Sequence, residues 1–166
     1  GAKDEARACG QANVDLLSQS DLPIVTSAPS CGLMLRHEMP LLVGGEAAEG
    51  VAKRVYDIHE FLAWLHERGE LDLNFKKIQS TLLFHPTCHL RAMGADKAVR
   101  KVLGLIPGIE LVEIPERCCG MAGSFGYLTK HFDVSQAIGE RRLFSAVRAL
   151  GADAVVVASG TSCRQQ

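Results

Sequence analysis

Near the end of the chain runs Ala154-Val155-Val156-Val157-Ala158, five consecutive apolar residues with three β-branched side chains at the centre. A short run of that kind is expected to be a strand buried on both faces of a parallel sheet. The stretch before it, residues 134–150, reads as a helix that Gly151 closes as a C-cap. Parallel strands cannot be joined by a tight hairpin, so each needs a crossover, usually helical. This run therefore commits the remainder of the chain to alternating strands and helices.

The remainder fits. Residues 4–19 read as a helix and Leu22 to Ser27 as a buried strand entered through Pro23. Pro29-Ser30-Cys31-Gly32 follows as a turn, and a helical stretch reaches about Met39 before Gly44-Gly45 interrupts it. Residues 46–68 place Val51, Val55, Ile58, Phe61, Leu62 and Leu65 at helical spacing, giving one or two helices. Residues 69–79 are polar and mark a boundary. Thr81 to Phe84 then reads as a strand, Met93 to Leu103 as a helix, Pro107-Gly108 as a turn and Ile109 to Ile114 as a strand. The class is α/β, with a parallel sheet of Rossmann-like βα units. An internal repeat accompanies it: Ser27-Ala28-Pro29-Ser30-Cys31 and Ser159-Gly160-Thr161-Ser162-Cys163 share Ser-x-x-Ser-Cys at an offset of 132 residues.

Composition narrows the function classes. Hydrophobic residues make up 47% of the 166 and charged residues 22%, which suffices for a core. A net charge of −1 gives no electrostatic footprint for nucleic acid or an anionic membrane. No apolar run approaches the roughly 18 residues of a membrane span, and no signal peptide is visible. The chain opens Gly-Ala-Lys without methionine, so an excised piece of a larger protein is expected.

The cysteines carry the chemistry. A chain of this size needs no disulfide staples, so Cys9, Cys31, Cys88, Cys118, Cys119 and Cys163 are read by position. Cys88, the Cys118-Cys119 pair and Cys163 each fall just past the carboxyl end of an expected strand, the edge where ligands gather in parallel sheets. Cys31 has the same placement after its own strand. Cys9, inside a helix, is expected to be a packing residue. Adjacent side chains on a strand point to opposite faces, so both members of the pair reach one site only if the backbone turns sharply; Gly120 and Gly123 permit that. A disulfide between direct neighbours would be strained. Four thiolates suit an iron–sulfur cluster or zinc. Arg91, Arg117, Arg164, His85 and His89 lie near these cysteines in sequence and suit thiolates. His85 and His89 either hydrogen-bond sulfur or cap the loop, while His37, His59 and His66 read as surface groups. The loop Gly120-Met121-Ala122-Gly123-Ser124-Phe125-Gly126 matches no nucleotide fingerprint. Glu113, Glu116 and Asp133 read as solvated, so no carboxylate pair marks a hydrolytic cleft. A thiol–disulfide protein with Cys118 or Cys119 as nucleophile and His85 or His89 as base remains open.

His85-Pro86-Thr87-Cys88-His89-Leu90, Arg117-Cys118-Cys119-Gly120-Met121-Ala122-Gly123 and Ser159-Gly160-Thr161-Ser162-Cys163 together resemble the cysteine-rich (CCG) domain family. That family occurs in subunits of heterodisulfide reductase and of anaerobic glycerol-3-phosphate dehydrogenase. It also occurs in iron–sulfur subunits of glycolate and lactate oxidation and in the C-terminal module of FAD-linked 2-hydroxyacid oxidoreductases. Twenty-nine residues separate Cys88 from Cys118 and forty-three separate Cys119 from Cys163, the latter longer than the usual pattern. The first cysteine of the family's last motif is replaced by Gly160, and by Ala28 in the earlier repeat.

The resemblance implies that residues 75–166 form one complete cysteine-rich domain, and residues 1–74 the tail of a preceding copy plus a helical connection. It implies a [4Fe–4S] cluster, or alternatively zinc, on Cys88, Cys118, Cys119 and Cys163. The implied role is electron transfer for a flavin dehydrogenase acting on a small hydroxy acid or glycerol 3-phosphate, with FAD in a partner protein or a missing domain. The implied setting is cytoplasmic or peripheral at the inner face of the membrane.

Overall fold

The computed structural model describes residues 2–114, 118–151 and 153–166. Its strands form two parallel sheets. The first pairs β1 (Ile24–Thr26) with β2 (Val55–Asp57), and Thr26 lies opposite Asp57. The second has the order β4-β3-β5, built from β3 (Ser80–Phe84), β4 (Ile109–Glu113) and β5 (Val155–Val157). Leu83 sits opposite Val112 on one side and Val156 on the other. The parallel α/β class expected from the sequence is what forms.

β3 is central because its apolar residues can be covered on both faces. Successive side chains alternate. Leu83 joins Ile114, Cys119, Met121 and Leu143 in one cluster, while Phe84 joins Leu90, Ala95 and Val99 in another. Phe84 is fully buried, a contribution of about 1.5–3 kcal/mol. The second cluster is supplied by α6 (Cys88–Ala92) and α7 (Asp96–Leu103), the first by α9 (Leu143–Arg148). A third cluster, Val14, Met39, Ala48 and Val51, holds α1 (Lys3–Leu17), α3 (Met39–Val43) and α4 (Gly45–Lys53) together.

Several expectations are corrected. β5 is an edge strand, with Val155 51% and Val156 43% exposed rather than buried on both faces. The stretch expected as helices over 46–68 contains β2, followed by α5 (Ile58–Glu67). Asp57 ends that strand and caps α5 in a reciprocal box with Glu60. The helix expected over 93–103 is two, because Gly94 takes φ 71° between them. The helix expected over 134–150 is also two, α8 (Phe132–Glu140) and α9, and Ala149 rather than Gly151 forms the C-cap. The helical stretch from α2 (Pro29–Leu33) runs past Met39 to Val43 through a wider π turn at Met34–Glu38. Pro40 has no N–H to give the preceding turn, which accounts for that local widening. Cys9 is exposed on α1 rather than packed. His59 is half-buried, its Nδ1 2.8 Å from Asp57 Oδ1. No helix among the described residues is long and apolar enough to cross a membrane.

Candidate metal centre

The second sheet brings three of its loops to one edge. After β3 the backbone N–H of His85 donates to Val157 O at 2.9 Å, which holds the outgoing chain against β5. Pro86 is buried, and Thr87 then caps α6 by accepting from the Leu90 N–H at 3.4 Å. That cap sets Cys88 as the first residue of α6, with an exposed thiol 3.9 Å from Arg91 Nη2.

After β4 the Ile114 N–H donates to Phe84 O at 3.0 Å, and the chain re-enters the described residues at Cys118. The backbone then turns hard. Gly120 has φ 102°, Ala122 φ 44° and Gly123 φ 68°, three left-handed residues within four positions. Gly120 is required here, since a Cβ on it would lie 2.2 Å from Ser135 O. Because of this turn the adjacent Cys118 and Cys119 both line one cavity. After β5, α10 (Thr161–Gln165) starts beyond Gly160, with Cys163 as its third residue. Gln166 donates to Ser135 O at 3.3 Å, tying α10 to α8.

The cavity measures about 240 Å³ and is walled by Cys88, Cys118, Cys119 and Cys163, with Thr87 and Gly160 between them. A ring nitrogen of His85 and the sulfurs of Cys119 and Cys163 lie within 4.8 Å of one another. Cys119 is only 3% exposed and borders the Leu83 cluster.

The thiols are electrostatically unequal. Cys119 is pulled down to about 4, chiefly by the hydrogen bond from the Cys163 thiol, with the His85 imidazole and the Met121 N–H assisting against burial. Cys163 is correspondingly pushed far up, because it keeps the proton it shares with Cys119 and is itself buried. Burial pushes Cys118 up, opposed by the Gly120 N–H, which donates to its sulfur at 3.3 Å. One thiolate with further thiols beside it is a donor set for a soft or borderline metal.

The other sequence candidates are placed as follows. Cys31 is exposed and does not line the cavity, although its neighbour Ser30 does. Both repeat arms share one build: a three-residue strand, a short connection and a five-residue helix with cysteine third. His89 is exposed and lines the cavity. Glu113 forms an ion pair with Arg100 at 2.7 Å. Arg117 and Glu116 lie outside the described residues. His85 and Thr87 are the groups that sequence reasoning underweighted. The signal for His85 was its place directly after a buried strand, the same edge position that singled out the cysteines.

Comparison with known proteins agrees with this edge arrangement. The chain is 29% identical to an iron–sulfur-type relative, the anaerobic glycerol-3-phosphate dehydrogenase C-chain of Escherichia coli K12, over 170 residues that cover all of this chain and 42% of that protein. It is 32% identical to a fumarate reductase (CoM/CoB) subunit of Methanothermobacter marburgensis, over 80% of this chain and 25% of that one. It is 26% identical to lactate utilization protein A 2 of Bacillus cereus, over 86% of this chain and 60% of that one. The chain thus spans less than two thirds of each of these relatives. No solved structure gives a significant match. The profile of the cysteine-rich domain covers residues 82–166, the sheet and all three cysteine loops, and the chain belongs to that CCG family.

Proposed function

We propose that this chain is an iron–sulfur electron-transfer module of a flavin-dependent dehydrogenase, with a [4Fe–4S] cluster held by Cys88, Cys118, Cys119 and Cys163. The observation that carries the reading is the convergence of four cysteines from three separate sheet-edge loops on one cavity. The donor set fits the group: four sulfurs face the space, and the buried His85 Nε2 has no hydrogen-bond partner among the described residues. Space for a fifth thiolate is filled, since a Cβ on Gly160 would lie 2.9 Å from Thr87 Cγ2. That favours a four-cysteine cubane.

Bound there, the cluster would accept and release single electrons. The protein's own groups do the rest. Cys119, already inclined to ionise, gives a ligand at neutral pH, and the proton it shares with Cys163 leaves on metal binding. The Leu83 and Leu143 side chains beside Cys119 exclude water from the inner wall. The exposed Cys88 marks the outer wall, where a partner can approach.

The names of the relatives favour a dehydrogenase partner carrying FAD, as a separate protein or as another domain of the parent chain, and a small substrate such as a 2-hydroxy acid or glycerol 3-phosphate. In this reading residues 75–166 are one complete domain. Residues 1–74 are the tail of a preceding copy with its helical connection, and the setting is cytoplasmic or peripheral at the inner face of a membrane. The test is iron, acid-labile sulfide and zinc content after anaerobic purification, repeated with Cys119→Ser. About four iron and four sulfide per chain, lost in the variant, is the expected result. A second reading, a structural zinc module, draws on the His85, Cys119 and Cys163 cluster, because zinc accepts mixed nitrogen and sulfur donors. Stoichiometric zinc without sulfide would select it, and no metal after reconstitution would select a thiol protein.

A further inference from the structure

Among the described residues, His85 is the one buried, hydrogen-bonding side chain at the centre that is not a cysteine and does not cap a helix. It is 2% exposed. Its backbone is pinned to Val157 O, and the buried Pro86 follows it, so the ring is held at the sheet edge. The ring meets Cys119 and Cys163 within 4.8 Å, yet Nε2 is buried without a hydrogen-bond partner among the described residues. An unsatisfied buried polar atom costs about 1–3 kcal/mol. An apolar side chain would fill this wall without that cost. The arrangement makes sense if the missing partner arrives with a ligand.

We infer that His85 donates a hydrogen bond from its imidazole N–H to sulfur at the Cys119–Cys163 side of the bound cluster, setting its reduction potential without ligating iron. This deepens the iron–sulfur reading and rests on it. Four cysteine sulfurs already surround the cavity, so a nitrogen ligand is not needed to complete the set. A hydrogen bond to sulfur draws off negative charge and stabilises the reduced state, which raises the potential. The proton stays on the imidazole, and no further reactant is required. His85 is thus a positioning residue: it acts on the cluster's electronics through sulfur.

The test uses the full chain, reconstituted anaerobically with ferrous iron and sulfide, as wild type, His85→Leu and His85→Gln. Iron and sulfide are counted first, and the potential is then followed by electron paramagnetic resonance during a redox titration. His85→Leu is expected to load normally and titrate at a more negative potential, and His85→Gln to return toward wild type because its amide also donates. A loaded His85→Leu with the wild-type potential would overturn the inference while leaving the cluster reading intact. If His85→Leu fails to load, electron–nuclear double resonance on wild type decides. A weakly coupled proton that exchanges in heavy water, with no strongly coupled nitrogen, supports the hydrogen bond; a strongly coupled ligand nitrogen, or no such proton, overturns it. A wild-type chain that takes up no iron and sulfide sinks the cluster reading, and this inference with it.

Discussion

Gly160 stands directly against Thr87: a Cβ at Gly160 would lie 2.9 Å from Thr87 Cγ2 and 3.5 Å from Cys163 Sγ. Thr87 is buried and caps α6 through its hydroxyl, so it cannot swing aside freely. Gly160→Cys is therefore expected to lower stability by about 1–3 kcal/mol through overpacking. Thr87→Ser keeps the capping oxygen and deletes the methyl, so the Thr87→Ser, Gly160→Cys double variant should recover most of that loss. Urea denaturation of the three variants checks this, and a Gly160→Cys protein as stable as wild type would refute it.

The turn after the cysteine pair gives a graded series. Gly120→Ala combines φ 102° with a 2.2 Å clash against Ser135 O, and is expected to cost roughly 2–5 kcal/mol. Gly123→Ala has open space around it and only φ 68° to contend with, so about 1–2 kcal/mol is expected. Ala122 already occupies φ 44°, and Ala122→Gly should stabilise by about 1 kcal/mol. Thermal melts of the metal-free proteins would rank them; any other order counts against this account of the turn.

Arg36 is the main polar tie in the amino-terminal half. Its guanidinium grips Glu60 at 2.5 and 3.2 Å and donates to Val55 O at 2.6 and 3.1 Å. Both side chains are largely buried. Arg36→Ala leaves a carboxylate and a carbonyl without their partner, a loss of about 2–4 kcal/mol. Iron and sulfide content after reconstitution should not change. A variant with wild-type stability, or one that folds but cannot load, would contradict this assignment.

The unequal thiols predict a dome in the stability of metal-free, reduced protein against pH. Between about 4 and the ordinary thiol value of about 8.5, Cys119 is ionised when folded but protonated when unfolded. The unfolded chain then binds more protons, so stability rises with pH across that window. Above about 8.5 the unfolded Cys163 ionises while the folded one keeps its proton, so stability falls. Urea midpoints measured as a difference from a Cys119→Ser, Cys163→Ser double variant isolate the pair. A flat difference curve would show that no proton is shared.

How much was visible beforehand differs by residue. The gathering of Cys88, Cys118, Cys119 and Cys163 at strand ends followed from apolar runs and glycine alone, because only a sharp turn lets neighbouring thiols share a cavity. Ala122 in the left-handed region was not legible, since its side chain carries no sign of it. β2 was missed because three residues fit inside a helical period, although Asp57-x-x-Glu60 carried a capping signal. Val155 and Val156 read as interior because composition reports that a strand is apolar, whereas its rank in the sheet depends on which strand pairs on both sides. The orientation of His85 depends on the β3–β5 register, a property of two segments far apart in the chain.

The edge position of β5 has a kinetic consequence. Cys163 is delivered to Cys119 by a strand of three residues whose one neighbour in the sheet, among the described residues, is β3. Outermost strands open before central ones, so fraying of β5 would move Cys163 while Cys88 and Cys118 stay in place. The exchange of backbone amides in β5 thus sets a clock for entry and escape at the inner wall, and a ligand that bridges Cys163 to Cys119 would act as a clasp that slows it.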